Sequence, residues 1–267
     1  MSPESQDPLI GMTLGGCRIQ SLLGRGGMGT VYRAHHIALD KPVALKVLAG
    51  HLMSDQEFVD RFQREARAAA KVEHPNVIQV LNVAEENAVH FIILQFIDGE
   101  NLEQLQERNG RLDLMMATRI AYGAASGLEG LHAKAIVHRD IKPANIMLAQ
   151  GTNVKIADFG AAYLRKSVAV QTASMGSPYY VSPEQIQNKN LTFHSDMYSL
   201  GVVLYELLTG QRPFTADSMD ALMKKITEQQ PTPPTKLRKD TARTLLNWPI
   251  EAGCNATINP RGATWQP

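Results

Sequence analysis

Hydrophobic positions keep two rhythms along the chain, strand-like over the first hundred residues and helix-like over most of the remainder. Leu22-Leu23 precede a run of glycines and Thr30-Val31-Tyr32 come after it, a strand–loop–strand pattern. Val43 to Leu48 is apolar on both faces apart from Lys46, which predicts a buried strand. Between 55 and 71, Phe58, Phe62 and Ala69 recur at near-helical spacing with charges between them, predicting an amphipathic helix. It should end before His74-Pro75-Asn76, because a residue preceding proline disfavours α geometry. Two more strands are predicted at Val77–Val83 and His90–Phe96. Residues 114–132 then read as a helix, with Ile120, Ala124, Leu128 and Leu131 on one stripe. Asn153–Ala157 reads as a short strand. Residues 195–210 read as a buried helix, with Ser195 as its N-cap and Gly210 as its stop. Residues 217–229 predict one further short helix.

Composition narrows the function classes. The chain has 267 residues and 44% are hydrophobic, enough for one large domain or two small ones. Its net charge of +1 gives no support to nucleic-acid binding. Cys17 and Cys254 lie far apart and form no metal-ligand spacing, so they read as free thiols. Met1–Pro8 lacks the basic start and apolar run of a signal peptide. The most apolar long stretch, Leu200–Leu208, is interrupted by Glu206 and falls short of the roughly 20 residues of a membrane span. A soluble, cytoplasmic chain is expected.

The chemistry concentrates at residues 138–145, His-Arg-Asp-Ile-Lys-Pro-Ala-Asn. Asp140 can accept a proton, and Lys142 can neutralise charge on a moving phosphoryl group. Asn145 offers an amide oxygen suited to Mg²⁺. Arg139 is a fixed cation suited to gripping phosphate. Pro143 argues for a loop. Gly24, Gly26 and Gly29 form a G-x-G-x-x-G pattern whose amides can approach phosphates. A dinucleotide fold would need a helix next and an acid about 20 residues on; a β-like run stands there instead. Lys46, buried in its strand, needs an anionic partner.

His138–Asn145 together with Asp158-Phe159-Gly160 resembles the catalytic and metal-binding motifs of the Hanks-type protein kinases, and the glycine phrase resembles the bacterial members. The resemblance runs in the family's order from about Thr13 to Phe214. It implies an α+β, bilobal fold with a β-rich N-lobe (13–97) and a mainly helical C-lobe (98–235). The activity implied is transfer of the γ-phosphoryl of ATP to protein serine or threonine; Lys142, two residues after Asp140, is the serine/threonine form. By this resemblance Asp140 is the base, Lys142 steadies the phosphoryl group, and Asn145 and Asp158 hold Mg²⁺ or Mn²⁺. Lys46, paired with Glu65, holds the α/β-phosphates. Leu94 stands as gatekeeper. The backbone of Gln95 and Ile97 meets the adenine edge, and Leu23, Val31, Ala44 and Met147 enclose the ring. His138 is expected to be structural, and Asp196 to accept backbone N–H groups from the catalytic loop.

Thr172, Ser174 and Ser177 lie in the polar segment 161–182, which ends in Ser182-Pro183-Glu184, close to the family's Ala-Pro-Glu. Phosphate on Thr172 or Ser174 is expected to pair with Arg139, and self-association for autophosphorylation is an expected partnership. After Pro234 the motifs fade. The family's arginine partner for Glu184 has no evident counterpart, and residues 236–267 read as an atypical or truncated end. That end motivates a rival reading, a catalytically weak, pseudokinase-like binding module. A small-molecule kinase of similar fold fits less well, since such families usually lack the Ser-Pro-Glu-terminated segment.

Overall fold

The structure, a computed structural model, describes residues 7–149, 153–158 and 178–238. Six strands make one antiparallel sheet in the order β1-β2-β3-β4-β6-β5. They are β1 (Thr13–Leu14), β2 (Cys17–Gly26), β3 (Gly29–His36), β4 (Lys41–Leu48), β5 (Val80–Glu86) and β6 (Val89–Gln95). The alternation within β4 explains its central place. Val43, Leu45 and Val47 are buried in a core with Tyr32, Phe91 and Ile93. On the opposite face Lys46 meets helix α2 (Gln56–Ala69), which comes after the single turn α1 (Gly50–Met53). Asp55 starts α2 by accepting the amides of Glu57 and Phe58. Val59, Phe62, Ala66 and Ala69 bury its apolar face.

The predicted strand at 77–83 is displaced. Val77 and Ile78 bridge to Ile156 in the other half of the molecule, so β5 begins only at Val80. That bridge, with the bond from the Ile156 amide to the Asn76 carbonyl (2.8 Å), fastens the two halves together.

The second half contains β7 (Gly99–Asn101), α3 (Leu102–Asn109), α4 (Leu114–His132), β8 (Ile146–Ala149), β9 (Asn153–Ile156), α5 (Pro183–Ile186), α6 (Phe193–Thr209), α7 (Met219–Glu228) and α8 (Pro234–Leu237). Strands β7, β8 and β9 form a small sheet, and α4 packs on α6 as the central pair. The predicted stripe Ile120, Ala124, Leu128 and Leu131 is fully buried. Gly127 sits where a Cβ would come within 2.5 Å of the Asn76 carbonyl oxygen, so only glycine lets that loop lie on the helix.

Helix α6 corrects one expectation. It begins at Phe193 and its N-cap is Thr192, whose hydroxyl accepts the His194 amide. Ser195 lies buried inside the first turn and donates its hydroxyl to Glu184 (2.6 Å). A serine with a carboxylate partner of its own is not available for capping. Gly210 closes the helix in the left-handed region, as expected. Helix α7 lies within the predicted 217–229, capped by Ser218.

The fold is bilobal, with a β-rich upper lobe carrying α2 and a helical lower lobe built on α4 and α6. Among the described residues no helix is long and apolar enough to cross a membrane.

Candidate active site

The catalytic loop is held from below by one buried carboxylate. Asp196, in the first turn of α6, accepts the amides of His138 (2.8 Å) and Arg139 (2.7 Å) and the ring N–H of His132 (2.8 Å). Gln185 donates its side-chain amide to the Arg139 carbonyl (2.9 Å). His138 is fully buried: its Nε2–H donates to the Ala157 carbonyl and its Nδ1 accepts the Asp140 amide. These bonds hold Arg139 at φ +65° and Asp158 stands at φ +64°, both in the left-handed region that ordinary residues avoid. Two non-glycine residues in this conformation, in the two chemical loops, mark a place where the scaffold overrides local preference.

Asp140 is gripped on its side chain. Lys142 Nζ lies 2.9 Å from its Oδ2, and Asn145 Nδ2 donates to the same oxygen (3.0 Å) and to the Asp140 carbonyl (2.8 Å). Pro143–Asn145 is a short 3-10 turn, so the segment is a loop as Pro143 implied. Asn145 accepts the Ala157 amide on its backbone carbonyl, which sets it against the residue preceding Asp158.

In the upper lobe Lys46 forms an ion pair with Asp158. Glu65, the expected partner of Lys46, is buried in the wall of the same small cavity, of about 50 Å³, with Ile78 and Leu94. The structure therefore brings Lys46, Glu65 and Asp158 together, and the ion pair it shows for the lysine is with Asp158. The Lys46 ammonium holds the Asp158 carboxyl below its ordinary value.

The register places the expected nucleotide roof on one face of the sheet. Val31 pairs with Lys46, and Ala44 pairs with Leu94, so all four side chains point the same way. Leu23, on β2, is half exposed (50%). Met147, on β8, packs partly buried against the main core from the lower lobe. Gln95 ends β6 and donates its amide to the Gln79 carbonyl (2.9 Å), and Ile97 is buried. Gly24, Gly26 and Gly29 lie in the β2–β3 hairpin, whose tip is Gly27-Met28. Phe159, Gly160, Thr172, Ser174, Ser177 and the tail beyond Arg238 lie outside the described residues.

The protein kinase domain family matches residues 17–255. The chain belongs to the protein kinase family. The chain is 40% identical over 252 residues to the serine/threonine-protein kinase pkn3 of Myxococcus xanthus, covering 90% of this chain and 46% of that protein. It is 41% identical to PknA of Corynebacterium glutamicum, covering 84% and 50%. The chain thus spans about half the length of these curated relatives. Among solved structures, the kinase domain of PknI from Mycobacterium tuberculosis superimposes with a TM-score of 0.67 at 28% identity, covering 87% of this chain and 85% of that one. The chain belongs with the Hanks-type family of the bacterial serine/threonine kinases. The family match runs past Pro234, beyond the last motif visible to the eye.

Sequence reasoning missed several supports of this site. His132 and Gln185 bear on the catalytic loop, yet a lone histidine and a lone glutamine carry no signal. Arg238 is buried and donates to the carbonyls of Leu112 (2.6 Å) and Leu208 (3.3 Å), joining α8 to the lower core. Glu184, whose arginine partner has no evident counterpart in the sequence, accepts the hydroxyl of Ser195.

Proposed function

We propose that this kinase transfers the γ-phosphoryl group of ATP to serine and threonine hydroxyls of proteins. The observation that carries the reading is the cluster at Asp140: one carboxylate oriented by Lys142 and Asn145, with Asp158 bonded to Lys46 beside it. Asp140 would orient the substrate hydroxyl and take its proton at the carboxylate. Lys142, at hydrogen-bond distance from that carboxylate, would lie where charge develops on the transferred group. Lys46 would hold the α- and β-phosphates beneath the Gly24–Gly29 hairpin, with Glu65 in the same pocket wall to balance it. Leu23, Val31, Ala44, Leu94 and Met147 would enclose the adenine, with backbone from Gln95 and Ile97 at its edge.

The residues fit a divalent ion. Among the described residues the Asn145 side chain bonds through its nitrogen, which leaves Oδ1 as an oxygen donor, and its backbone carbonyl accepts the amide of Ala157, the residue before Asp158. Hard oxygen donors suit Mg²⁺, or Mn²⁺ in its place. Such an ion, when bound, supplies charge neutralisation for the phosphates.

Control would come from the segment after Asp158. Phosphate on Thr172 or Ser174 adds a charge of about −1.5 to −2 that Arg139 could pair with, ordering the segment and Ser177 within it. Transfer from one copy to another would make self-association part of that control. The 13–97 and 98–235 segments are the two lobes of this reading, with 236–267 its atypical end.

The test is transfer of labelled γ-phosphoryl from ATP to a generic basic protein with Mg²⁺, then phosphoamino-acid analysis. Label on serine and threonine is expected. Intact MgATP binding with no transfer would instead favour a non-catalytic nucleotide-binding module.

A further inference from the structure

The carboxylate of Asp7 has a role no motif announces. Its side chain is only 7% exposed although it stands near the start of the chain. One oxygen accepts from Arg25 Nη2 (2.8 Å) and from the Tyr32 hydroxyl (3.0 Å); the other lies 3.2 Å from that hydroxyl and accepts the Leu9 amide (3.1 Å). Arg25 lies between Gly24 and Gly26, on the first strand of the glycine hairpin. Tyr32 lies on the second strand, buried on the opposite face from Val31 and Lys46. A single carboxylate therefore ties both arms of the hairpin together from outside the nucleotide pocket.

The segment carrying Asp7 is itself fixed. The Gly11 amide donates to the Ile19 carbonyl and the Ile19 amide to the Met12 carbonyl, both at 2.9 Å. Leu9 and Ile10 pack on the outer core of the sheet. Burial and the Asp7 carboxylate both push the Tyr32 phenol up, so it stays a donor. By contrast, Arg25 is 63% exposed, and the hairpin tip, Gly27-Met28, has only one side chain to stiffen it.

We propose that Asp7 is a positioning residue for nucleotide binding, a brace that sets the height of the glycine hairpin through Arg25 and Tyr32. The proposal rests on the ATP reading. Glycines give the hairpin its close approach to phosphates and also extra conformational freedom; an external tie restricts that freedom before the ligand arrives. With one partner exposed, the tie is modest, and its loss should weaken MgATP binding by about 2- to 5-fold.

The experiment compares the wild-type chain with Asp7→Asn, Arg25→Met and the double variant. Asparagine keeps the size of Asp7 and its bond to the Leu9 amide. Two readouts are taken: amide hydrogen exchange without nucleotide, and the dissociation constant for MgATP. Each single variant is expected to speed exchange at Gly24–Thr30 while leaving Leu45 and Ile93 unchanged, and to weaken MgATP binding. The double variant should be no worse than the worse single, because Asp7→Asn already removes the Arg25 ion pair that Arg25→Met removes. Unchanged hairpin exchange, unchanged MgATP affinity, or additive losses in the double variant would overturn the brace. Hairpin exchange that responds in a chain binding no MgATP would overturn the ATP reading, and the proposal with it.

Discussion

The two lobes hold their shares of the active site by different physics. In the lower lobe the catalytic loop hangs on buried groups: Asp196 takes three donors, Gln185 takes the Arg139 carbonyl, and Asn145 binds Asp140 twice. In the upper lobe the proposed phosphate grip depends on ion pairs with an exposed partner: Lys46 with Asp158, whose side chain is 42% exposed, and Asp7 with Arg25. Buried, multiply satisfied networks are stiff and costly to break, while pairs open to water exchange partners readily. On the proposed reading, a loop that places a base needs the first kind of support, and a hairpin that admits and releases a nucleotide works with the second.

The largest effect should come from removing the group that the rigid half exists to place. Asp140→Asn is expected to lower phosphoryl transfer by about 10²- to 10⁴-fold, the usual contribution of a positioned base. MgATP binding should stay nearly intact, since the role proposed for Asp140 is toward the substrate hydroxyl and not the nucleotide. Transfer above about a tenth of wild type would remove Asp140 from that role.

Next comes the scaffold. Asp196→Ala would leave three donors, one fully buried and two partly buried, without their acceptor. A loss of about 3–5 kcal/mol is expected, as for removal of a buried charged partner. Urea unfolding measures it. A loss under about 1 kcal/mol would mean that water replaces the carboxylate and the lower lobe is less rigid than its bonds imply.

The third effect is confined to alkaline pH. Burial, with Glu184 beside it, pushes the Tyr198 phenol up to about 12, against about 10 in an unfolded chain. The neutral phenol is the form the fold prefers. Its contribution is complete below about pH 10, falls as the unfolded tyrosine ionises, and is gone once pH has risen through the folded value. The loss between about pH 10 and 12 is at most about 2–3 kcal/mol. Tyr198→Phe cannot ionise, so its urea midpoint should fall less than that of wild type between about pH 8 and 11. Equal falls would show that Tyr198 titrates normally.

Legibility in the sequence divides along the same line. The grouping of the 138–145 loop with Lys46 and Asp158 is legible because the proposed chemistry demands particular residue types at fixed spacing. Helices α2 and α4 are legible because each buries one stripe. The start of α6 is not, because Ser195 looks like a cap and only the fold shows that Glu184 takes its hydroxyl. The start of β5 is not, because Val77 and Ile78 are apolar whether they serve the upper sheet or the bridge to Ile156. Asp7 is invisible for a different reason. Its partners, 18 and 25 residues away, meet it only after the sheet has formed. Contacts of that kind leave no local pattern.

The smallest prediction tests the adaptable side of the comparison. Arg33, on β3, stacks its guanidinium 5.1 Å from the centre of the Phe96 ring. Phe96 is the residue after β6, where the chain leaves the upper sheet for the lower lobe. Arg33 is exposed and Phe96 half-buried, so the contact is a cation–π pair at the surface, worth about 0.5–1 kcal/mol. Arg33→Met keeps the length and much of the apolar contact while removing the charge. Thermal or urea unfolding should show a loss within that range. A loss above about 2 kcal/mol would mean that the joint between the lobes is pinned as firmly as the catalytic loop, and the contrast between a stiff lower scaffold and an adjustable upper grip would fail at the point where the two meet.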